Sequence, residues 1–352
     1  MSHSLNQSPA STASPGWIRS PAFDSLLIGG TASMALLTGI FAAQDPYWFR
    51  TLLIVNMWAL GYHHVIATYT RIGFDTQSLR EHRFLVFALP VLLLGVTTSL
   101  FAAGGTWLLA TIYLHWQYFH YTRQSYGVEQ IYWRRGNAAD VPRDRATWAV
   151  IYAVPVWGLV HRSIQDSPTF LGLEVAYLPI PPWVGTIVAA GAIGTIAYWV
   201  ALRVGEAIRG ELRLAHTLYV TSHIVIFVSG YILIENINPG WLLVNVWHNA
   251  QYLLIVWMFN TNRFRDGVDP EHRFLSTLSQ PGNVVLYTLT CVCISTVFYL
   301  GSLEFIDALP LAAISATLIF VQTVNFHHYT VDAFVWKLRK PAVRDTTVAD
   351  PV

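Results

Sequence analysis

The sequence predicts an all-α, polytopic membrane protein: a helical bundle of about ten transmembrane helices with both termini cytoplasmic. Three observations carry this prediction. The chain of 352 residues is 54% hydrophobic and only 12% charged, whereas a soluble domain is about 25% charged. It contains repeated apolar runs of bilayer-spanning length. Its basic residues fall almost entirely on one side of the membrane once those runs are read as crossings.

In chain order, residues 1–18 are rich in Ser, Pro and Ala and are expected to be a disordered cytoplasmic tail. The segment lacks the basic region, short apolar core and cleavage site of a signal peptide. The apolar runs fall at 24–43, 52–70, 84–103, 106–126, 147–161, 183–202, 214–234, 241–260, 283–301 and 309–336. The fifth is short and contains Pro155, so a kinked or re-entrant helix is expected there. The run 162–182 ends in prolines and is expected to lie along the membrane surface. Residues 19–340 thus form a single transmembrane domain, and 341–352 a short cytoplasmic tail. If every run crosses, 19 of the 21 Lys and Arg residues share one side, and only Arg50 and Arg162 lie opposite. This orientation implies an integral membrane protein, of the inner membrane if the source is bacterial. The net charge of +1 gives no sign of nucleic-acid binding. Cys291 and Cys293, two apart on a helix, point to different faces, so they read as buried structural thiols rather than a disulfide.

Polar side chains inside apolar runs are costly and usually functional. Here they are mainly histidines. Of thirteen, His3, His82, His161, His216 and His272 read as tail, loop or helix-end residues. The other eight, His63, His64, His115, His120, His223, His248, His327 and His328, are intramembrane. At 1.5 Å per helical residue, most lie about 10–15 Å below the nearest basic helix end, with His120 shallower and His248 deepest at about 22 Å. Imidazoles at shared depth on five helices suit a metal, because neutral imidazole is the common ligand of Fe, Cu and Zn.

Adjacent pairs point about 100° apart, so one member of each is expected to ligate and the other to support it. His328 is the better candidate of its pair, because Asn325 and Asp332 share its face. His115 and His120, five apart, share a face only if the helix is π-wound between them. Asn56, Gln117, Gln124, Asn245, Asn249, Gln251 and Asn325 are candidates to accept the second imidazole N–H. Asp332 is a candidate ligand or acceptor; its alternative is an interfacial pair with Lys337 or Arg339. Arg123, one turn past His120, is a candidate to hold a substrate carboxylate or phosphate; its alternative is to mark the helix end. No phosphate-cradling glycine loop, Gly-x-Ser-x-Gly or CxxC is present.

The His115-x4-His120 element, with the His63–His64 and His327–His328 pairs, resembles the membrane di-iron desaturases and hydroxylases, although the pairs lack that class's preceding H-x-x spacing. The placing of histidines within helices also resembles the bacterial β-carotene-cleaving membrane oxygenases, whose histidine-glycine-aspartate pattern Gly61-Tyr-His-His-Val65 does not reproduce. These resemblances imply one or two iron ions, dioxygen chemistry on a lipid or isoprenoid, and a separate cytoplasmic electron donor. Copper and zinc are alternative metals. Two other functions are compatible with the residues: a b-type haem electron carrier, which needs only two or four histidines, and a transporter moving a metal or protons.

Overall fold

The computed structural model describes residues 16–74, 76–135, 143–308, 313–338 and 340–347. Residues 1–15 of the expected tail 1–18, residues 309–312 of the tenth apolar run, Arg339 and residues 348–352 lie outside them; Ile18, the last residue of that tail, is buried and held by Asp24, so the disorder expected there is corrected. Each apolar run coincides with a helix: α1 (Pro21–Gln44), α2 (46–69), α3 (84–104), α4 (106–135), α5 (Arg145–Gln165), α6 (Pro182–Ile208), α7 (Leu214–Leu233), α8 (Ile237–Arg263), α9 (Val284–Asp307) and α10 (Ala313–Val335). Among the described residues, six helical stretches are long and apolar enough to cross a membrane: α1, the continuous stretch containing α3 and α4, α6, α7, α8 and α9.

Local chemistry sets the helix ends. Ser20 caps α1 by accepting from the Phe23 N–H, with Pro21 at the first helical position. The buried Asp24 carboxylate accepts from the N–H groups of Ile18, Arg19 and Ser20 at 3.0–3.1 Å, which folds the approaching chain onto the helix. Asp45, Asp144 and Asn236 cap α2, α5 and α8 in the same way. The break between α3 and α4 is at Gly105, whose φ of +67° is open to glycine but strained for other residues. The chain reverses there. Leu85 and Thr97 of α3 meet His327 and Thr323 of α10, so α3 runs antiparallel to it. Trp116 and His120 of α4 meet Phe326 and Tyr329, so α4 runs parallel.

The centre of the bundle is α8, which is buried along most of its length and packs against α1, α2, α4 and α7. Its start lies against the end of α7 with no room for side chains. A Cβ on Gly240 would run into the Gly230 carbonyl oxygen. Arg162 closes this junction from α5: its guanidinium donates to the Gly230 carbonyl at 2.9 Å and to those of Ile234 and Glu235. These carbonyls belong to a π-wound turn, Ser229–Leu233, and the residues just beyond it, so a buried cation satisfies acceptors that the helix end leaves open.

Several expectations are corrected. The α5 helix runs unbroken through Pro155. Residues 162–182 do not simply lie on a surface: a short hairpin, β1 (Thr169–Phe170) with β2 (Leu173–Glu174), inserts Phe170 against Trp241 and Tyr113. Helix Pro341–Thr347 packs on α8, with Asn262 donating to the Thr346 carbonyl at 3.0 Å, so this part of the expected tail is folded. Cys293 is exposed and only Cys291 is buried, as opposite faces of α9 require.

Candidate metal centre

Four helices each deliver one histidine to a single buried point: His64 from α2, His120 from α4, His248 from α8 and His328 from α10. Helix α10 adds Asp332 one turn later. His248 is 1% exposed and His328 fully buried. One ligand atom from each of His64, His248 and His328 lies within 4.8 Å of the others, and the same holds for His120, His328 and Asp332. The ring centroids of His64–His328, His120–His248, His120–His328 and His64–His248 are 4.5, 4.9, 5.0 and 5.4 Å apart.

Hydrogen bonding assigns the tautomers. His64 Nδ1 is 2.6 Å from the Gly61 carbonyl oxygen, which can only accept, so Nδ1 carries the proton and Nε2 a lone pair. That carbonyl is at the end of a π-wound turn, Met57–Tyr62, immediately before the His63–His64 pair. For His328 the assignment runs through a relay. Tyr252 donates to Asp332 Oδ1 at 2.7 Å, so its oxygen accepts the Thr68 hydroxyl, also at 2.7 Å. Thr68 has then spent its proton and accepts from His328 Nδ1 at 2.8 Å. Trp336 Nε1 donates to the same Tyr252 oxygen at 3.2 Å. With Asp332 ionised, His328 Nε2 therefore also carries a lone pair.

The two Nε2 atoms face each other at 2.9 Å, with Asp332 Oδ2 3.5 Å from His328 Nε2. Facing lone pairs repel, and a shared cation removes the repulsion. Two imidazole nitrogens each about 2.1 Å from one ion, at right angles, stand about 3 Å apart. The remaining donors fit the same purpose. His120 Nε2 and both ring nitrogens of His248 are buried with no hydrogen-bond partner, which is costly for polar atoms unless something else binds them. The set is imidazole and carboxylate with no thiolate, which suits iron, zinc, copper or manganese.

The other four candidate histidines are held outside this group. His327 has both ring nitrogens engaged, with the Tyr69 hydroxyl at 3.2 Å and the Leu85 carbonyl at 2.6 Å. His115 bonds the Thr111 carbonyl at 2.8 Å and packs near Tyr177; α4 is α-wound between it and His120, and the π-wound turns among the described residues lie in α1, α2, α3 and α7. His223 bonds Ser125 at 2.7 Å beside Phe227. His63 is buried with unpartnered nitrogens but points away from His64 around α2. His216, read as a helix-end residue, is buried and pairs with Glu129 at 2.9 Å.

The amides expected to orient the imidazoles do other work. Asn56, Asn245 and Asn249 bond one another and Tyr121, Gln124 donates to the His248 backbone carbonyl, and Asn325 donates to Gln322. The orienting groups are Gly61, Thr68 and Tyr252. Two had a sequence signal, since Thr68 follows His64 and Tyr252 follows His248 by one helical turn. Arg123 lies outside the group, donating to the Tyr152 hydroxyl at 2.7 Å. It lines a cavity of about 600 Å³, whose wall also includes His120, Tyr252, Tyr329 and Asp332. The histidine group thus has one side open to space large enough for a ligand.

No protein-family model, curated protein or solved structure matches this chain. The fold and the site define an all-helical protein with apolar helices of membrane-crossing length and a buried His/Asp group able to hold a metal ion.

The relay makes a specific prediction. Thr68→Val and Tyr252→Phe remove orienting hydrogen bonds without removing a ligand, and each should weaken metal binding by about 10- to 100-fold. His115→Ala, outside the group, should leave it unchanged. Metal titration of the purified variants checks this; wild-type affinity in both relay variants would contradict the assigned tautomers.

Proposed function

We propose that this chain is a membrane metalloenzyme, a non-haem iron oxidoreductase acting on a lipid or isoprenoid substrate with His64, His120, His248, His328 and Asp332 as the metal ligands. The observation that carries the reading is the clustering of four histidines and one carboxylate, from four helices, in two overlapping buried groups that share His328 beside a cavity. Because His328 belongs to both groups and has one free lone pair, we read the site as holding a single ion. Iron bound by neutral imidazoles and one carboxylate retains positive charge and would supply Lewis acidity and one-electron chemistry with dioxygen.

The chain's own residues define the surroundings. Thr68, Tyr252 and Gly61 fix the imidazole orientations, and the aromatic residues Tyr121, Tyr252 and Tyr329 pack against the rings and limit water. The open face at His120 and Asp332 is where a substrate would approach. Electrons would come from a separate cytoplasmic donor. A b-type haem fits less well: two imidazoles on opposite sides of one iron stand about 4 Å apart with a macrocycle between them, and the His64–His328 nitrogens are 2.9 Å apart.

Elemental analysis of the purified protein tests the reading. The expected result is about one iron per chain, no haem Soret band, and loss of the metal in His248→Ala and His328→Ala. Stoichiometric zinc, a haem spectrum or the absence of bound metal would each overturn it.

We also read all ten apolar runs as crossings with both termini cytoplasmic, a reading supported by the placing of 19 of 21 basic residues on one side. A topology reporter fused after the last residue should score as cytoplasmic; an external score would reject this arrangement.

A further inference from the structure

The cavity beside the histidine group has an electrically one-sided wall. Along α4 its lining passes from Trp116 and Phe119 through His120 to Arg123 and Arg134; along α10 it passes from Tyr329 through Asp332 to Lys337. The two helices run parallel, so the cations of both gather at one end and the aromatic residues at the other. Arg143, just before α5, joins the basic end, its guanidinium 5.9 Å from the Tyr126 ring that Arg123 approaches at 5.1 Å. Among the described residues Asp332 is the only carboxylate in the lining, and its bonds point toward Tyr252 and His328 rather than the mouth. None of Arg123, Arg134, Arg143 and Lys337 is paired with a carboxylate among the described residues. At the other end Phe119 is 58% exposed, so the apolar part of the wall continues onto the outer surface of the bundle.

Four cations that pair with no carboxylate among the described residues, around an apolar cavity, complement a ligand with the opposite polarity. We propose that the cavity binds a single-chain amphiphile with an anionic head group, a carboxylate or a phosphate. The head is held by Arg123, Arg143 and Lys337, and the chain runs past His120 toward Phe119. This rests on the metalloenzyme reading for the chemistry at the chain, but not for the binding. Guanidinium groups suit planar, bidentate contact with carboxylate or phosphate oxygens. The geometry also fixes which part of the ligand meets the metal group. Arg123 is about 4.5 Å along α4 from His120, and Lys337 follows Asp332 by five residues, just past the end of α10. The carbons nearest the head, rather than the far end of the chain, therefore lie beside the histidines.

The test uses the full chain in phosphatidylcholine nanodiscs, with tritiated dodecyl phosphate as the probe. Dodecyl phosphate, dodecanoate and dodecanol then compete for binding to the wild-type protein. At least one anionic compound should compete at least about tenfold better than dodecanol, and the order of the two anions identifies phosphate or carboxylate as the preferred head. The double variant Arg123→Gln/Lys337→Gln should weaken probe binding at least about tenfold while keeping its metal, and Arg123→Lys/Lys337→Arg should restore it. Equal competition by dodecanol, or unchanged binding in the Gln variant, overturns the proposal. Metal is measured in the same samples. A metal-free wild type that still prefers anions would defeat the metalloenzyme reading alone, and a metal-loaded protein with no anion preference would defeat this one alone.

Discussion

Two imidazole nitrogens, from residues 264 positions apart, face each other at 2.9 Å in the middle of a helical bundle. Neither can rotate away. His64 is fixed by the Gly61 carbonyl of the preceding π turn, and His328 by a relay through Thr68 and Tyr252 to Asp332. In a low-dielectric interior, uncompensated polar atoms are expensive and paired ones rigid. The relay holds α2, α8 and α10 in register around the same point, and His120 brings in α4. The packing of these four helices and the chemistry of the site are therefore one problem. Changing any helix's position by one residue would turn its histidine about 100° out of the group.

Much of the fold was legible in the sequence because long apolar runs must satisfy their backbone internally as helices, and among the described residues each run coincides with a helix, six helical stretches being long and apolar enough to cross a membrane. Gly105 and the capping residues Ser20, Asp45 and Asn236 mark boundaries for local reasons that need no tertiary information. The hairpin that inserts Phe170 was not legible, since a loop rich in proline reads as surface until the groove beside Trp241 is known. Cys293 shows the same limit: spacing told that the two thiols face opposite ways, but not which of them is exposed.

For the site, depth along each helix identified a set of eight histidines, and the structure unites four of them. Depth is a one-dimensional coordinate. It cannot say that His223 turns toward Ser125 or that His327 is taken by Tyr69 and Leu85, because rotation about each helix axis is set by packing. The spacing of His115 and His120 asked for a π turn between them, but α4 is α-wound there; one of the π turns found elsewhere precedes His63, where no spacing signals it. The amides were natural candidates to orient imidazoles, yet they bond one another, and hydroxyls and a carbonyl take that role.

The account depends on a metal bound by imidazoles at this point. X-ray absorption at the iron edge of the purified, iron-loaded protein examines that bond directly. The account predicts a first shell of nitrogen and oxygen near about 2.1 Å, with the outer-shell scattering of three or four imidazole rings, diminished in His328→Ala. A shell dominated by sulfur, by a porphyrin, or by oxygen without imidazole scattering would contradict it.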